Sequence, residues 1–373
     1  MRTLKRALTI AVAILALLAC TAGGLWFAYG ESARVLAGLV TAAGEALPPG
    51  VTRQPLTLEA GGTVVHADIY APAEPRAVLL FVPGLTSAGR EDRRVVGVSG
   101  VLAAAGFRVV TPDLPGAIAL SAGRQDAAVL VALLDHLVDA QRSDGLPLGV
   151  VAVSYGLGPA LAAAATPDHA GAIAMVLGLG GYFDGEAIVT YATTGWFTDP
   201  RDGITRMGTP DPRARWLLLQ AMLEHVASTT DRARLREFAR QAVAGGTPGL
   251  VATAQAMAES GPAARSLLAL VANTDPARVG MLLDDLPEGA RDDLVALSPS
   301  HRDLSSLAGR LVLVHGEHDP VIPFSESLRL AAVVPGSRVF LIPGFSHVEP
   351  EQTGLLGQAA MIRAVDVLLD LRR

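Results

Sequence analysis

The segment Gly149-Val150-Val151-Ala152-Val153-Ser154-Tyr155-Gly156-Leu157-Gly158 decides how the fold of this chain is interpreted. An apolar run ends at Ser154, and an alanine-rich stretch follows at 159–164. This pattern predicts a buried strand, a sharp turn that carries the serine, and then a helix. Ala152 and Gly156 lie two positions to either side, where the close approach of strand and helix backbones favours small residues. An ordinary strand-to-helix turn can carry the same pattern, so other residues must decide between the two.

Two more predicted strands, farther along the chain, end beside polar residues. Residues 310–316 form an apolar run that leads to Asp319, and residues 338–343 form another that leads to His347. Side chains beyond the carboxyl ends of parallel strands meet at one edge of the sheet, where such sheets hold their sites. A serine hydroxyl becomes a strong nucleophile when a base takes its proton, and a carboxylate orients that base. Ser154, Asp319 and His347 are therefore candidate catalytic residues.

The order serine, acid, histidine along the chain resembles that of the α/β-hydrolase family. The resemblance extends over about residues 50–373 and implies an α/β fold, with a mostly parallel sheet and helices on both faces. It implies that Ser154 is the nucleophile, His347 the base and Asp319 the acid.

The resemblance also implies an oxyanion hole, in which backbone N–H groups stabilise the tetrahedral intermediate. By position these donors are Leu85, after the predicted strand at 77–83, and Tyr155, after the nucleophile. The chain departs from the commonest family pattern at Pro83, where histidine is frequent, and at Ala152, where glycine is frequent. Because of these two departures, the sequence does not assign the chain to a particular subfamily.

Other acidic residues compete with Asp319 for the role of acid. Glu317 lies two residues before it, and Asp184 follows a predicted strand at 172–179 from which some members of the family draw their acid. The run His315, Glu317, His318 and Asp319 also resembles a metal cluster. Neighbouring residues at a strand end point to opposite faces, so we expect no metal there and no cofactor.

Alternating strands and helices predict a hydrolase core that consists of residues 51–181 and 303–373. Between them, residues 182–302 carry helix-type patterns only, which predicts an inserted all-helical cap. Most apolar side chains of this cap are expected to form its own core, and a few to line an acyl pocket. Trp216 and Met222 are candidates for lining that pocket.

The N-terminal segment 1–30 predicts a transmembrane anchor or an export signal. It begins with a cationic stretch, and the uncharged run from Ala7 to Gly30 is long enough to span a bilayer. A cleaved signal peptide and a lipoprotein signal that ends at Cys20 remain alternatives. In each case the catalytic domain is expected outside the cytoplasm. Residues 31–50 are predicted to form a juxtamembrane helix and linker that ends at Pro48-Pro49-Gly50.

Composition limits the possible partners. The net charge of the 373-residue chain is -6 and aromatic residues make up 5%, which argues against nucleic-acid binding. The resemblance implies a serine hydrolase, and the N-terminal segment predicts its attachment to a membrane. We expect it to act on small-molecule carboxylic esters, with lipid esters among the candidates. An acyltransferase and a non-enzymatic ligand-binding protein of the same fold remain alternatives, and the oligomeric state stays open.

Overall fold

A computed structural model describes residues 29–42, 46–60, 62–121, 123–245, 250–347 and 353–373. Nearly all of the predicted membrane segment at 1–30, with Cys20, lies outside these residues. Within the described ranges, no helix combines the length and the apolar character needed to cross a membrane.

The described residues form ten strands and fifteen α-helices. The strands are β1 (Thr52–Ala60), β2 (Thr63–Ala71), β3 (Ala77–Val82), β4 (Phe107–Pro112), β5 (Leu148–Val153), β6 (Ile173–Leu179), β7 (Trp196–Thr198), β8 (Thr205–Met207), β9 (Leu311–Gly316) and β10 (Arg338–Ile342). The helices are α1 (29–41), α2 (Arg93–Ala104), α3 (Pro115–Ile118), α4 (Gln125–Asp144), α5 (Leu157–Ala164), α6 (Pro167–Ala170), α7 (Gly185–Thr194), α8 (Ala214–Met222), α9 (Thr229–Gly245), α10 (Leu250–Ala258), α11 (Pro262–Ala272), α12 (Val279–Asp284), α13 (Glu288–Leu297), α14 (Ser325–Val333) and α15 (Leu355–Asp370).

Eight strands form one mostly parallel sheet in the order β1-β2-β4-β3-β5-β6-β9-β10. β1 pairs with β2, and β2 with β4, in antiparallel fashion, whereas the other neighbours are parallel. The predicted α/β fold with a mostly parallel sheet is confirmed. The parallel arrangement brings the carboxyl ends of β5, β6, β9 and β10 to the same edge of the sheet.

Both faces of the sheet are covered, which explains why its central strands are apolar throughout. Every residue of β3 is buried. Leu80 belongs to a cluster that includes side chains of α4 and α5, while its neighbour Leu79 belongs to a cluster on the other face with α2 and α15. Successive side chains of a strand point to opposite faces, so one apolar run fills both halves of the core.

The segment between β6 and β9 forms a largely helical block with a hydrophobic cluster of its own. The helix-type patterns predicted there correspond to the helices α8–α13. The structure adds α7 and the antiparallel hairpin of β7 and β8, so the segment is not helical throughout. Trp216 and Met222 lie inside the cluster of this block, with Trp216 almost fully buried. These two side chains therefore pack within the block instead of lining a pocket.

Helix α1 packs directly on the sheet domain. Its Val35, Leu36 and Leu39 contact the cluster formed by α2 and α15. At its start, Glu31 forms an ion pair with Arg372 at 2.5 Å, and a hydrogen bond of 2.9 Å joins the neighbouring Ser32 to α15. The predicted juxtamembrane helix is therefore part of the folded body.

Candidate active site

Ser154 occupies the tight turn between β5 and α5. Its φ angle is +52°, in the left-handed region that residues other than glycine rarely adopt. A conformation of this kind costs on the order of 1–3 kcal/mol and persists only where the surrounding packing enforces it. The predicted sequence of strand, strained turn and helix is confirmed, and it holds the serine side chain at the carboxyl edge of the sheet.

The loop after β3 lies against this turn, with a glycine on each side of the contact. A Cβ atom on Gly156 would lie 2.5 Å from the carbonyl oxygen of Pro83. A Cβ atom on Gly84 would lie 3.3 Å from Cβ of Ser154. The small residue two positions after the serine is therefore explained by a backbone contact. The same contact brings the loop that carries Leu85 beside the Ser154 side chain.

Ser154, His347 and Asp319 form one continuous chain of hydrogen bonds. The distance from Nε2 of His347 to Oγ of Ser154 is 2.8 Å, and the distance from Nδ1 to Oδ2 of Asp319 is 2.7 Å. His347 is partly accessible, with 17% of its side chain exposed, whereas Asp319 is buried. One imidazole thus faces a hydroxyl through one nitrogen and a carboxylate through the other, the geometry that base-assisted nucleophilic attack requires.

Asp319 is held in its ionised form by the groups around it. Burial alone would raise the pKa of Asp319, but hydrogen bonds from His315 and His347 outweigh it and hold that pKa well below its usual range. The second carboxylate oxygen, Oδ1, accepts the backbone N–H groups of Val321 and Ile322 at 2.8 and 2.9 Å. With both oxygens occupied, the carboxylate has a fixed orientation toward His347.

Asp184 and Glu317, the two rival candidates for the catalytic acid, do not have the surroundings of Asp319. Asp184 caps the start of α7, where its Oδ1 accepts the N–H groups of Glu186 and Ala187. Its other oxygen lies 3.3 Å from the guanidinium of Arg329. Glu317 is partly exposed on the loop after β9 that carries Asp319, which we call the acid loop. Of the three candidate acids, Asp319 is the one that the structure places in hydrogen-bond contact with His347.

Comparisons with known proteins agree with this architecture. The model of the alpha/beta hydrolase family matches residues 79–354 of the 373. The chain belongs to this family. It is therefore a hydrolase by family, as the resemblance implied.

Solved structures of similar fold are distant in sequence. One is a thermostable carboxylesterase cloned from a metagenomic library, with 14% identity, coverage of 93% of this chain and 95% of the other, and a TM-score of 0.48. A second is a dienelactone hydrolase from Anabaena variabilis, with 15% identity, coverage of 86% and 96%, and a TM-score of 0.43. A third is Est1E from Butyrivibrio proteoclasticus, with 15% identity, coverage of 85% and 98%, and a TM-score of 0.42. The comparison with curated proteins gave no match.

The residue after the nucleophile of this hydrolase is anchored by a buried polar network. The hydroxyl of Tyr155 donates to Asp126 at 2.9 Å and accepts the N–H of Gly123 at 3.2 Å. Asp126 also accepts the N–H groups of Gly116 and Ala117 at the start of α3. Burial raises the pKa of Tyr155, so its hydroxyl remains a hydrogen-bond donor. The backbone at the predicted oxyanion donor is thereby fixed to the loop after β4.

The inserted block contacts the acid loop of the hydrolase directly. The buried hydroxyl of Tyr191, on α7, donates to the carbonyl oxygen of Asp319 at 3.1 Å. The N–H of Asp211 donates to the carbonyl of Pro320 at 2.7 Å. These contacts were not predicted, because a tyrosine in an apolar helix pattern carries no sign of the backbone carbonyl that it will meet.

A cavity of about 610 Å³ lies between α7, the β7–β8 hairpin and α14. Its lining includes the aromatic ring of Phe197 and the charged side chains of Glu326 and Arg329, but none of the three candidate catalytic residues. Among the described residues, no group of His, Cys, Asp and Glu side chains converges in a way that suits a metal ion. Of the two histidines near Asp319 in sequence, His315 on β9 is fully buried, whereas His318 in the loop that follows is exposed.

Proposed function

We propose that this chain is a serine hydrolase that cleaves carboxylic esters through an acyl-enzyme intermediate. The observation that carries the proposal is the chain of short contacts from Ser154 through His347 to Asp319. In this proposal Ser154 is the nucleophile, His347 the general base and acid, and Asp319 the carboxylate that orients His347.

The first half of the reaction forms the acyl-enzyme. Nε2 of His347 accepts the proton of the Ser154 hydroxyl as Oγ attacks the ester carbonyl carbon. The backbone N–H groups of Leu85 and Tyr155 stabilise the oxyanion of the tetrahedral intermediate. His347 then returns the proton to the alkoxide, which leaves as the alcohol.

The second half releases the acid. Water takes the place of the alcohol, and His347 accepts one of its protons as the oxygen attacks the acyl carbon. The second tetrahedral intermediate collapses, the Ser154 oxygen recovers the proton, and the carboxylic acid departs. Throughout both halves Asp319 stays ionised and stabilises the imidazolium of His347.

The proposed substrates are soluble esters with short acyl chains. The apolar side chains of the inserted block pack against one another, since Trp216, Leu219 and Met222 all lie in its internal cluster. The 610 Å³ cavity at the edge of the block does not include Ser154 in its lining. Within the described residues, neither feature provides a long apolar channel for a fatty acyl chain at the nucleophile.

A p-nitrophenyl ester series tests both the chemistry and the substrate class. We expect measurable turnover by the purified protein, with kcat/KM higher for acetate and butyrate than for decanoate. Ser154→Ala should lower turnover by roughly 10⁴-fold or more while the fold is retained by circular dichroism. Near-normal turnover by Ser154→Ala would refute the mechanism. A steady rise of kcat/KM up to decanoate would instead point to lipid esters.

We further propose that residues 1–30 attach the protein to a membrane, with the catalytic domain outside the cytoplasm. The support is the cationic start and the long uncharged run of the sequence. Helix α1 begins beside Arg372, which also donates to the carbonyl of Ala105 just before β4. The anchor would therefore leave the domain where β3 and β4 begin, and Ser154 lies at the opposite edge of the sheet. This orientation favours substrates from the aqueous phase.

Cell fractionation tests the attachment. We expect the full-length chain in the membrane fraction, and we expect it to remain there after Cys20→Ala if the segment spans the bilayer. Loss of membrane association in Cys20→Ala would favour a lipid anchor. Full-length protein found entirely in the cytosol would contradict the proposal.

A further inference from the structure

His315 is a fully buried histidine that the proposed reaction does not use. It lies on β9, four residues before Asp319, and none of its side chain is accessible. A buried imidazole needs partners for both ring nitrogens, because an unsatisfied polar group in the interior is costly. Its partners connect it to the acid loop.

The contacts of His315 determine where its hydrogen lies. Nε2 is 2.9 Å from the carbonyl oxygen of Ile322 and 3.4 Å from Oδ2 of Asp319. Both of these oxygens can only accept, so Nε2 carries the hydrogen. Nδ1 is 2.7 Å from the hydroxyl of Ser327 on α14, which can donate to it. The Nε2–H tautomer therefore satisfies every contact of the ring.

This arrangement places two imidazoles at one carboxylate oxygen. Oδ2 of Asp319 lies 2.7 Å from Nδ1 of His347, in a close hydrogen bond, and 3.4 Å from Nε2 of His315. The carbonyl of Ile322, which His315 also holds, belongs to the turn whose N–H groups bind Oδ1. One buried ring therefore supports the turn and limits the negative charge that Oδ2 presents to His347.

We propose that His315 is a positioning residue for the catalytic acid, Asp319. His315 fixes the turn that binds Oδ1 of Asp319, and it tunes the basicity of His347 through Asp319. The inference rests on the proposed serine hydrolase mechanism. The titratable groups around Asp319 are His315 from β9, His347 from the loop after β10, and Tyr191 from α7, whose hydroxyl meets the Asp319 carbonyl. Of these, His315 and His347 share the carboxylate oxygen.

A matched pair of substitutions separates positioning from simple packing. His315→Asn removes a donor at the Nε2 position, whereas the longer amide of His315→Gln can restore one there. His169→Asn is the control, because His169 is also a buried histidine bonded to a carboxylate, Asp135, at 2.7 Å, but far along the chain from the acid loop. The readout is the pH profile of kcat/KM, normalised to active sites titrated with a fluorophosphonate.

Removal of the His315 donor leaves more negative charge on Oδ2, which favours protonated His347. We therefore expect His315→Asn to move the acidic limb of the profile to higher pH by about half a unit, and to lower kcat about tenfold. His315→Gln should recover most of both effects, and His169→Asn should show neither. The proposal would be overturned if His315→Asn kept both the wild-type acidic limb of the pH profile and the wild-type kcat per titrated active site.

A measurement on the wild-type protein keeps the test decisive if His315→Asn does not fold. The ¹⁵N spectrum of the histidine side chains should show that His315 carries its hydrogen on Nε2 and that its Nδ1 is unprotonated. A hydrogen on Nδ1 alone would contradict the inference. Failure of the underlying mechanism looks different, because turnover would then persist in Ser154→Ala whatever the state of His315.

Discussion

The sheet core and the inserted block use their buried polar side chains to hold different parts of the molecule. In the core, the carboxylates of Asp319 and Asp126 each meet several hydrogen-bond donors, and these bonds hold the residues around Ser154. In the block, Trp216 is buried without a hydrogen-bond partner for its indole nitrogen. The block also buries a carboxylate, Asp199, which pairs with Arg201 and Arg206 of the β7–β8 hairpin at 2.7 and 3.3 Å. The polar contacts of the core thus hold the site, whereas those of Asp199 hold the block itself. Substitutions in the first should alter turnover, and those in the second should alter stability.

The largest expected difference comes from the acid. Asp319→Asn should lower kcat about 10⁴-fold, because the amide no longer holds the correct tautomer of His347. Asp184→Asn and Glu317→Gln are the matched controls and should retain most of the activity. Asp184→Asn should also leave the free energy of unfolding nearly unchanged, because asparagine caps the start of a helix about as well as aspartate. A severe kinetic loss in Asp184→Asn with a mild one in Asp319→Asn would assign the acid to the strand β6.

A pair of leucine truncations compares the two regions directly. Leu219 lies in the cluster of the block and Leu157 begins the helix after the nucleophile, and both are fully buried. Each alanine variant should lose about 3 kcal/mol of unfolding free energy, measured in urea. The kcat per titrated active site should stay close to wild type in Leu219→Ala and fall in Leu157→Ala. Equal kinetic losses would erase the distinction between the regions.

The smallest expected effect lies where the two regions meet. Tyr191→Phe removes one hydrogen bond, from the block to the carbonyl of Asp319. We expect a loss of about 1 kcal/mol of unfolding free energy and a kcat reduced only a few fold, with KM unchanged. A kcat loss as large as that of Asp319→Asn would show that the block is part of the catalytic machinery.

The elements around the site could be predicted because each one has a strong local signal. β5, β9 and β10 are apolar runs, and Ser154, Asp319 and His347 follow within five residues of their ends. A short segment of sequence therefore contains all the information needed. The helices α8–α13 were predicted for the same reason, since their periodicity is local. The match of residues 79–354 to the family agrees with these strand-end motifs.

Other features depend on contacts between distant parts of the chain. The strands β7 and β8 have three residues each, too few for an alternating pattern to be recognised. Docking of α1 requires the faces of α2 and α15, which its own sequence does not reveal. His315 differed in no visible way from an ordinary core histidine, since its role comes from Ile322, Ser327 and Asp319 around it.

Labelling with a fluorophosphonate probe tests the central claim most directly, because the probe reacts fastest with a serine that a base activates. The purified chain should take up one label, and mass spectrometry should locate it on Ser154. Ser154→Ala should take up none, and Asp319→Asn should react far more slowly. A label on another residue, or ester turnover without any label on Ser154, would contradict the account.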